Sequence, residues 1–245
     1  MGLFLQKIKN FFASGVAKWA NASKTFRIIS IVVVSCVAAG LIAFGSWYWF
    51  VPTEILGMDA SHYQGTISWK AVKSSSQIKF VYLKATEGRT YTDAGFKQNW
   101  KGAAAADLKV GAYHFFSASS TGTEQANHFI ANVPKEKGML PPAIDIEANI
   151  TQESDFKQQV ADYVKIVQAH YGQKPVFYVP PRIFNLLYDQ YSDYPFWVIN
   201  IKTKPNVAGW TFWQYTYSGT VAGVNGKVDF DKYQGSRFSF YQLLS

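Results

Sequence analysis

Apolar and polar positions divide the chain into three parts. In the first, Phe4, Ile8, Phe11, Phe12, Val16 and Trp19 recur at helical spacing, with Lys7, Lys9 and Lys18 between them. The pattern predicts a short amphipathic helix lying on the inner leaflet of a membrane; the bland reading is an unstructured basic tail. In the second, Ile28 to Val51 runs without a charged residue. A helix needs about 20 residues to cross a bilayer, so this run is long enough. It closes on Trp47-Tyr48-Trp49-Phe50, the ring cluster expected where a membrane meets water. In the third, from Ile55 onward, short apolar runs alternate with amphipathic stretches, the signature of an α/β domain with a largely parallel sheet.

Within that third part, strands are expected at Ile55–Asp59, Lys79–Ala85, Val110–Phe116, Leu140–Glu147, Pro175–Val179, Phe196–Ile199, Trp210–Tyr215 and Val228–Lys232. Helices are expected over Ser68–Ser75, through Phe96, Trp100 and Ala104, and over Thr123–Val133. The clearest helix is capped by Thr151, carries Glu153 and Asp155 in its first turn and the stripe Phe156, Val160, Tyr163, Val164 and Val167, and ends at Gly172. No internal repeat or linker interrupts this region. The organisation is a tail over residues 1–27, an apolar span over 28–51 and a single domain over 54–245.

One stretch stands out. Leu140-Pro141-Pro142-Ala143-Ile144-Asp145-Ile146-Glu147 places two acids two positions apart at the end of an apolar strand. Strand residues i and i+2 share a face, so Asp145 and Glu147 face one way and Ile144 and Ile146 the other. Paired acids are costly to bury, and their repulsion raises one pKa, as a general acid near neutral pH requires. The competing reading is a structural pair held by a nearby Arg or Lys. In a βα-barrel, chemistry gathers where strands end. Asp59, Asp145 with Glu147, and Tyr178 sit at such ends, and Asp229 lies on a late strand able to reach the same rim.

Charge and composition remove other classes. The formal charge is +8, yet Lys7, Lys9, Lys18, Lys24 and Arg27 precede the first acid, leaving 19 bases against 16 acids. Basicity therefore belongs to the tail, and the positive-inside rule places residues 1–27 in the cytoplasm and everything after Val51 outside. No zinc-type Cys/His spacing, phosphate-binding glycine loop or DNA-reading basic helix is present, so no metal, cofactor or nucleic acid is expected. Cys36 is the only cysteine, which excludes an internal disulfide. A cleaved leader, or a lipoprotein site at Val33-Val34-Ser35-Cys36, is the alternative to an anchor, but the apolar run continues well past Cys36. Aromatic residues make up 17% of the chain, which suits a sugar-stacking cleft as well as a large core.

Six motifs occur in order: Gly57-Met58-Asp59-Ala60-Ser61-His62-Tyr63-Gln64-Gly65; Lys79-Phe80-Val81-Tyr82-Leu83-Lys84-Ala85-Thr86-Glu87-Gly88; Gly111-Ala112-Tyr113-His114-Phe115-Phe116; Pro141 to Glu147; Trp213-Gln214-Tyr215; and Val228-Asp229. Together they resemble the glycoside hydrolase family 25 lysozymes, the Chalaropsis-type muramidases. The resemblance spans residues 55–235 and none of the tail. It implies an irregular, TIM-like β/α barrel that cuts the β-1,4 bond between N-acetylmuramic acid and N-acetylglucosamine in peptidoglycan. By position it implies Glu147 as general acid, Asp145 as the partner carboxylate kept ionised, and Asp59 and Asp229 as flanking acids. Tyr113, Tyr178, Trp197 and Gln214 are implied as substrate-binding residues.

The chain departs from the family pattern at Trp197-Val198-Ile199-Asn200-Ile201, which lacks the expected small residue and aromatic after the tryptophan, and at Val179-Pro180-Pro181 after Tyr178. Asp231, often Asn in the family, reads as a solvated or turn carboxylate. His114 reads as a core histidine opposite Tyr113, Glu87 as a loop carboxylate, and Asn149-Ile150-Thr151 as a helix start rather than a glycosylation acceptor. Trp69, Trp100, Trp210 and Trp213 are core or cleft wall. The leading expectation is a peptidoglycan muramidase held in the cytoplasmic membrane through residues 28–51, its barrel outside. The alternatives are a non-catalytic glycan-binding or scaffold protein on the same fold, and a lysis factor delivered across the membrane.

Overall fold

The structure, a computed structural model, describes residues 2–75, 77–147 and 152–244, without the side chains of residues 2–4, 8, 11, 12, 17 and 18. It consists of two units that divide after Phe50.

The first unit holds two helices, α1 (Gly2–Ala20) and α2 (Lys24–Phe50). A helix stands where the tail pattern predicts one; the apolar side chains at Phe4, Ile8, Phe11 and Phe12 lie outside the described residues, and Val16 and Trp19 are exposed. Helix α2 starts before the charge-free run because Ser23 ends the intervening turn, its hydroxyl accepting from the Phe26 N–H at 3.2 Å. It has 27 residues, about 40 Å of helix at 1.5 Å per residue. By length and apolar composition it is a candidate membrane span.

The second unit is a closed barrel. Its strands are β1 (Ile55–Ala60), β2 (Ile78–Glu87), β4 (Lys109–Phe115), β5 (Ala143–Asp145), β6 (Val176–Val179), β7 (Phe196–Ile199), β8 (Trp210–Gly219) and β9 (Val228–Tyr233), with β3 (Tyr91–Thr92) a short hairpin arm on β2. The chain runs parallel from β1 through β8, and β9 closes the ring antiparallel to both β8 and β1. Helices α3 (Trp69–Ser74), α4 (Phe96–Ala105), α5 (Gly122–Asn132), α6 (Glu153–Tyr171) and α7 (Pro181–Tyr191) connect the parallel strands up to β7. Residues 200–209, between β7 and β8, contain no helix. This is the irregular β/α barrel that the motifs imply. Because β9 descends, it returns the chain to the N-terminal end of the barrel, where α8 (Arg237–Gln242) inserts Phe240 beneath Phe80 and Tyr233, at ring separations of 5.6 and 5.2 Å.

Two helices escape the sequence pattern. α7 presents Ile183, Phe184, Leu187 and Tyr191 inward, but Pro180-Pro181 reads as a loop; Pro181 instead occupies the first turn, where a missing N–H costs nothing. α8 is only six residues, capped by Ser236. The strand expected over Leu140–Glu147 is also shorter: β5 covers Ala143–Asp145, so Glu147 stands just beyond it. The expected cap Thr151, with Asn149 and Ile150, lies outside the described residues. α6 itself runs from Glu153 and stops at Gly172, whose φ of +75° suits a residue without Cβ.

Alternation along the strands produces two cores. The outer one packs Met58, Val81, Leu83, Ile144, Ile146, Phe177 and Val198 against the helices. The inner one fills the barrel with Phe80, Tyr82, Tyr178, Trp197, Phe212 and Tyr233. The inner rings need room, and two glycines supply it. A Cβ on Gly57 would stand 2.3 Å from the Phe80 ring, and one on Gly111 2.4 Å from the Tyr82 ring. Tyr82 cannot retreat, since its ring rests on Trp197 at 4.9 Å and on Phe212 at 5.8 Å. Gly111→Ala is therefore expected to destabilise the barrel by about 1–3 kcal/mol through overpacking, read as a lower urea midpoint with an unchanged slope.

Candidate active site

The C-terminal ends of the strands converge on a cavity of about 90 Å3 lined by Asp59, Tyr113, Asp145, Glu147, Tyr178, Trp197 and Asp229. Strand register explains the assembly. Asp59 on β1 faces Asp229 on β9 directly across the antiparallel pair, and Asp145 pairs in register with Phe115 of β4 and Tyr178 of β6. Ile146 continues the pairing by donating its N–H to the Tyr178 carbonyl at 2.9 Å, which carries the chain up to Glu147 at the mouth.

Gln214 lies within the rim as a bridge. Its Nε2 donates to Asp59 Oδ2 at 2.9 Å, while its Oε1 accepts from the Tyr178 hydroxyl at 2.8 Å. The structure thus brings together all eight residues that the sequence singles out, seven on the cavity wall and Gln214 holding two of them. Trp197 stacks edge-on to Tyr178 at 4.7 Å.

Two members of the site were not anticipated. Lys84 follows Phe80 and Tyr82 on the inward face of β2, a placement that alternation alone would have revealed. Its Nζ pairs with Glu87 at 2.7 Å and lies 4.9 Å from the centre of the Phe115 ring. Glu87 is therefore a strand-end partner of Lys84 rather than a loop carboxylate. Asp231 is the second. It is fully buried rather than solvated, because it faces inward with Asp229 and Tyr233, and its Oδ1 accepts from the Trp197 indole N–H at 2.8 Å. Its Oδ2 has no hydrogen-bond partner among the described residues.

Burial and mutual repulsion dominate the electrostatics. Burial pushes the Asp59 carboxyl well above the usual range, with Asp229 adding to the effect and the Gln214 hydrogen bond opposing it. Asp229 is pushed up to about 6 by burial and by Glu147. Partial burial also raises Glu147, against the pull of Lys84. Burial, then Glu147 and Asp59, push Asp145 well above its ordinary value, against the pull of Lys84. Its Oδ1 is buried without a partner among the described residues. Donors or positive charge brought by a substrate are what would ionise it.

His114 lies on the opposite face of β4. It is stacked on Tyr163 at 5.1 Å, with Thr86 Oγ1 and Gln125 Oε1 on its two ring nitrogens, and burial pushes its pKa down to about 3. It is a neutral core residue. Among the other tryptophans, Trp69, Trp100 and Trp210 belong to the outer core, and Trp213 is half-buried on the outer face, donating to the Asn200 carbonyl at 2.8 Å. The departures at Asn200-Ile201 and Pro180-Pro181 fall just beyond β7 and β6, at the rim.

Asp231 yields a measurable consequence. Burial first, then Asp59, holds its pKa well above the ordinary carboxylate value, while the Trp197 hydrogen bond works the other way. The folded chain keeps this proton to higher pH than the unfolded chain, which releases it near about 3.9. Stability from this group is therefore present at low pH and lost as pH rises toward the folded value. Asp231→Asn preserves an acceptor for Trp197 and has no proton to lose. Its melting temperature relative to wild type is expected to rise steadily between pH 4 and pH 8; a constant difference would mean that Asp231 ionises normally.

Comparison with known proteins agrees with this geometry. Residues 58–224 match the family model described as Glycosyl hydrolases family 25. YegX of Escherichia coli K12, an uncharacterized protein, is 32% identical over 191 residues, covering 74% of this chain and 70% of its own. Lysozyme M1 of Streptomyces globisporus is 34% identical over 202 residues, covering 74% of this chain and 68% of its own. The solved family 25 glycosyl hydrolase of Bacillus anthracis superposes with a TM-score of 0.72 at 34% identity, over 77% of this chain and 93% of that one. The chain belongs to the family 25 glycosyl hydrolases and is a glycoside hydrolase.

Proposed function

We propose that the enzyme is a muramidase that hydrolyses the β-1,4 bond between N-acetylmuramic acid and N-acetylglucosamine in peptidoglycan glycan strands. The observation that carries this reading is the gathering of Asp59, Asp145, Glu147 and Asp229 around one cavity at the rim, beside the aromatic walls of Tyr113, Tyr178 and Trp197. Relatives named lysozyme and N,O-diacetylmuramidase support it.

Glycoside cleavage needs a proton on the leaving oxygen and stabilisation of positive charge at the anomeric carbon. Glu147, at the mouth and raised by partial burial, gives the proton. The buried Oδ1 of Asp145, without a partner among the described residues, suits a donor on the substrate, and the 2-acetamido N–H is the donor that such a sugar carries. In this route the acetamido oxygen attacks the anomeric carbon as the glycosidic oxygen leaves with the Glu147 proton. The hydrogen bond and the developing positive charge favour ionised Asp145, offsetting its burial. Water then opens the ring, losing its proton to the Glu147 carboxylate. Asp59, fixed by Gln214, and Asp229, paired with it across the sheet, complete the acidic wall of the same cavity.

The apolar helix α2 is read as an uncleaved anchor in the cytoplasmic membrane. The bases that precede the span favour an inner N-terminus and an outer barrel.

Glu147→Gln is expected to lower release of reducing ends from purified peptidoglycan by about 10²–10⁴-fold, the usual contribution of a general acid. Activity that survives the substitution removes Glu147 from that role. The first product seen by proton NMR should be the β-anomer; an initial α-anomer would exclude the acetamido route.

A further inference from the structure

Beside the cavity, an aromatic cluster stands exposed on the β1–β3 side of the rim. Tyr63, in the single helical turn after β1, is 81% exposed, and Tyr91 on β3 is 42% exposed. An exposed tyrosine alone says nothing, but this one is part of a built platform. Its ring lies 4.1 Å from the His62 imidazole, tilted by 35°, and the Tyr91 ring lies 6.3 Å from the same imidazole.

His62 is held firmly. Its Nδ1 lies 2.6 Å and its backbone N–H 3.1 Å from Oδ2 of Asp93, whose own side chain is buried. Asp93 is fixed in turn, Oδ1 accepting from the Gly95 N–H at 2.9 Å. The Tyr91 hydroxyl sits 3.3 Å from the same His62 nitrogen. Below, Ser61 and Gln64 form a reciprocal cap that fixes the turn carrying Tyr63. A buried carboxylate thus orders two exposed rings before any ligand arrives, which lowers the cost of binding.

The platform is continuous with the cleft. Lys84, whose charge acts on both Asp145 and Glu147, has its Nζ 5.7 Å from the centre of the Tyr91 ring. Asp93 is close enough to Tyr113 to act on its hydroxyl. The acids gather around one small cavity, where the reacting sugar must sit; the rest of a long polymer extends over the rim.

We propose that Tyr63, His62 and Tyr91 form an outer saccharide subsite, on which a pyranose ring of the glycan strand beyond the four centred on the scissile bond lies with its C–H face. Pyranose fits the surface better than peptide because the platform offers ordered ring faces, with the buried carboxylate of Asp93 already engaged by His62 and Gly95. The inference rests on the muramidase reading and adds a dependence on chain length.

The test uses the full-length chain and two substrates stripped of stem peptides: a tetrasaccharide and long glycan strands. Tyr63→Ala is expected to raise KM for the long strands about tenfold with kcat held, the scale of one aromatic contact, while the tetrasaccharide KM moves far less. Tyr63→Phe restores the long-strand KM, and Tyr91→Ala reproduces part of the loss. Equal effects on both substrates, or none on either, would overturn the subsite. So would a loss seen only on strands that keep their stem peptides, which would assign the platform to peptide. If wild type cleaves neither substrate, the muramidase reading fails separately. Co-sedimentation with the long strands then reads the platform directly, and equal retention of wild type and Tyr63→Ala would refute it.

Discussion

Carboxylates crowded into a buried rim are the constraint on which this barrel depends. Asp59, Asp145, Glu147, Asp229 and Asp231 all feel burial as the largest influence on their protons, and most of them feel one another. Lys84 is the cation that acts on both Asp145 and Glu147, and it is shared with Glu87. In so low a dielectric such a group cannot all ionise at once, and its members titrate as a set. The scaffold answers with neutral polar groups: the Gln214 amide between Asp59 and Tyr178, and the Trp197 indole on Asp231. Each orients a carboxyl by a hydrogen bond and brings no opposite charge beside it.

The support beneath the acids follows the same logic. An aromatic interior gives rigid surfaces that carry hydrogen-bonding tips, and it is possible only where glycines admit the rings. Gly57 and Gly111 occur in the same motifs as Asp59 and Tyr113, because the position that makes room for a ring lies two residues below the one that reaches the rim.

Much of this was legible in the sequence. Alternation placed the strands, and their terminal residues marked the acids, since a period of two fixes which side chains share a face. Legibility failed where local pattern and tertiary role diverge. Pro180-Pro181 signals a loop in any local reading, yet the barrel uses it to start α7. Asp231 looks like a turn acid because burying a carboxylate is costly, and only the closed ring reveals that its face is the interior. For Asp145, spacing reveals the repulsion from Glu147 but not the burial, which only the closed barrel sets, nor the approach of Asp59 from another strand.

The antiparallel last strand has one more consequence. By descending, β9 brings Gly235 and Ser236 to the foot of the barrel, where Ser236 bridges with Pro52 and the Gly235 carbonyl accepts from the Thr53 N–H at 3.0 Å. The polypeptide therefore joins the barrel at the end opposite the cleft. The last strand thus fastens both ends of the barrel's own polypeptide, Pro52–Thr53 and Gly235–Ser236, to each other at its foot, away from the residues that line the cavity.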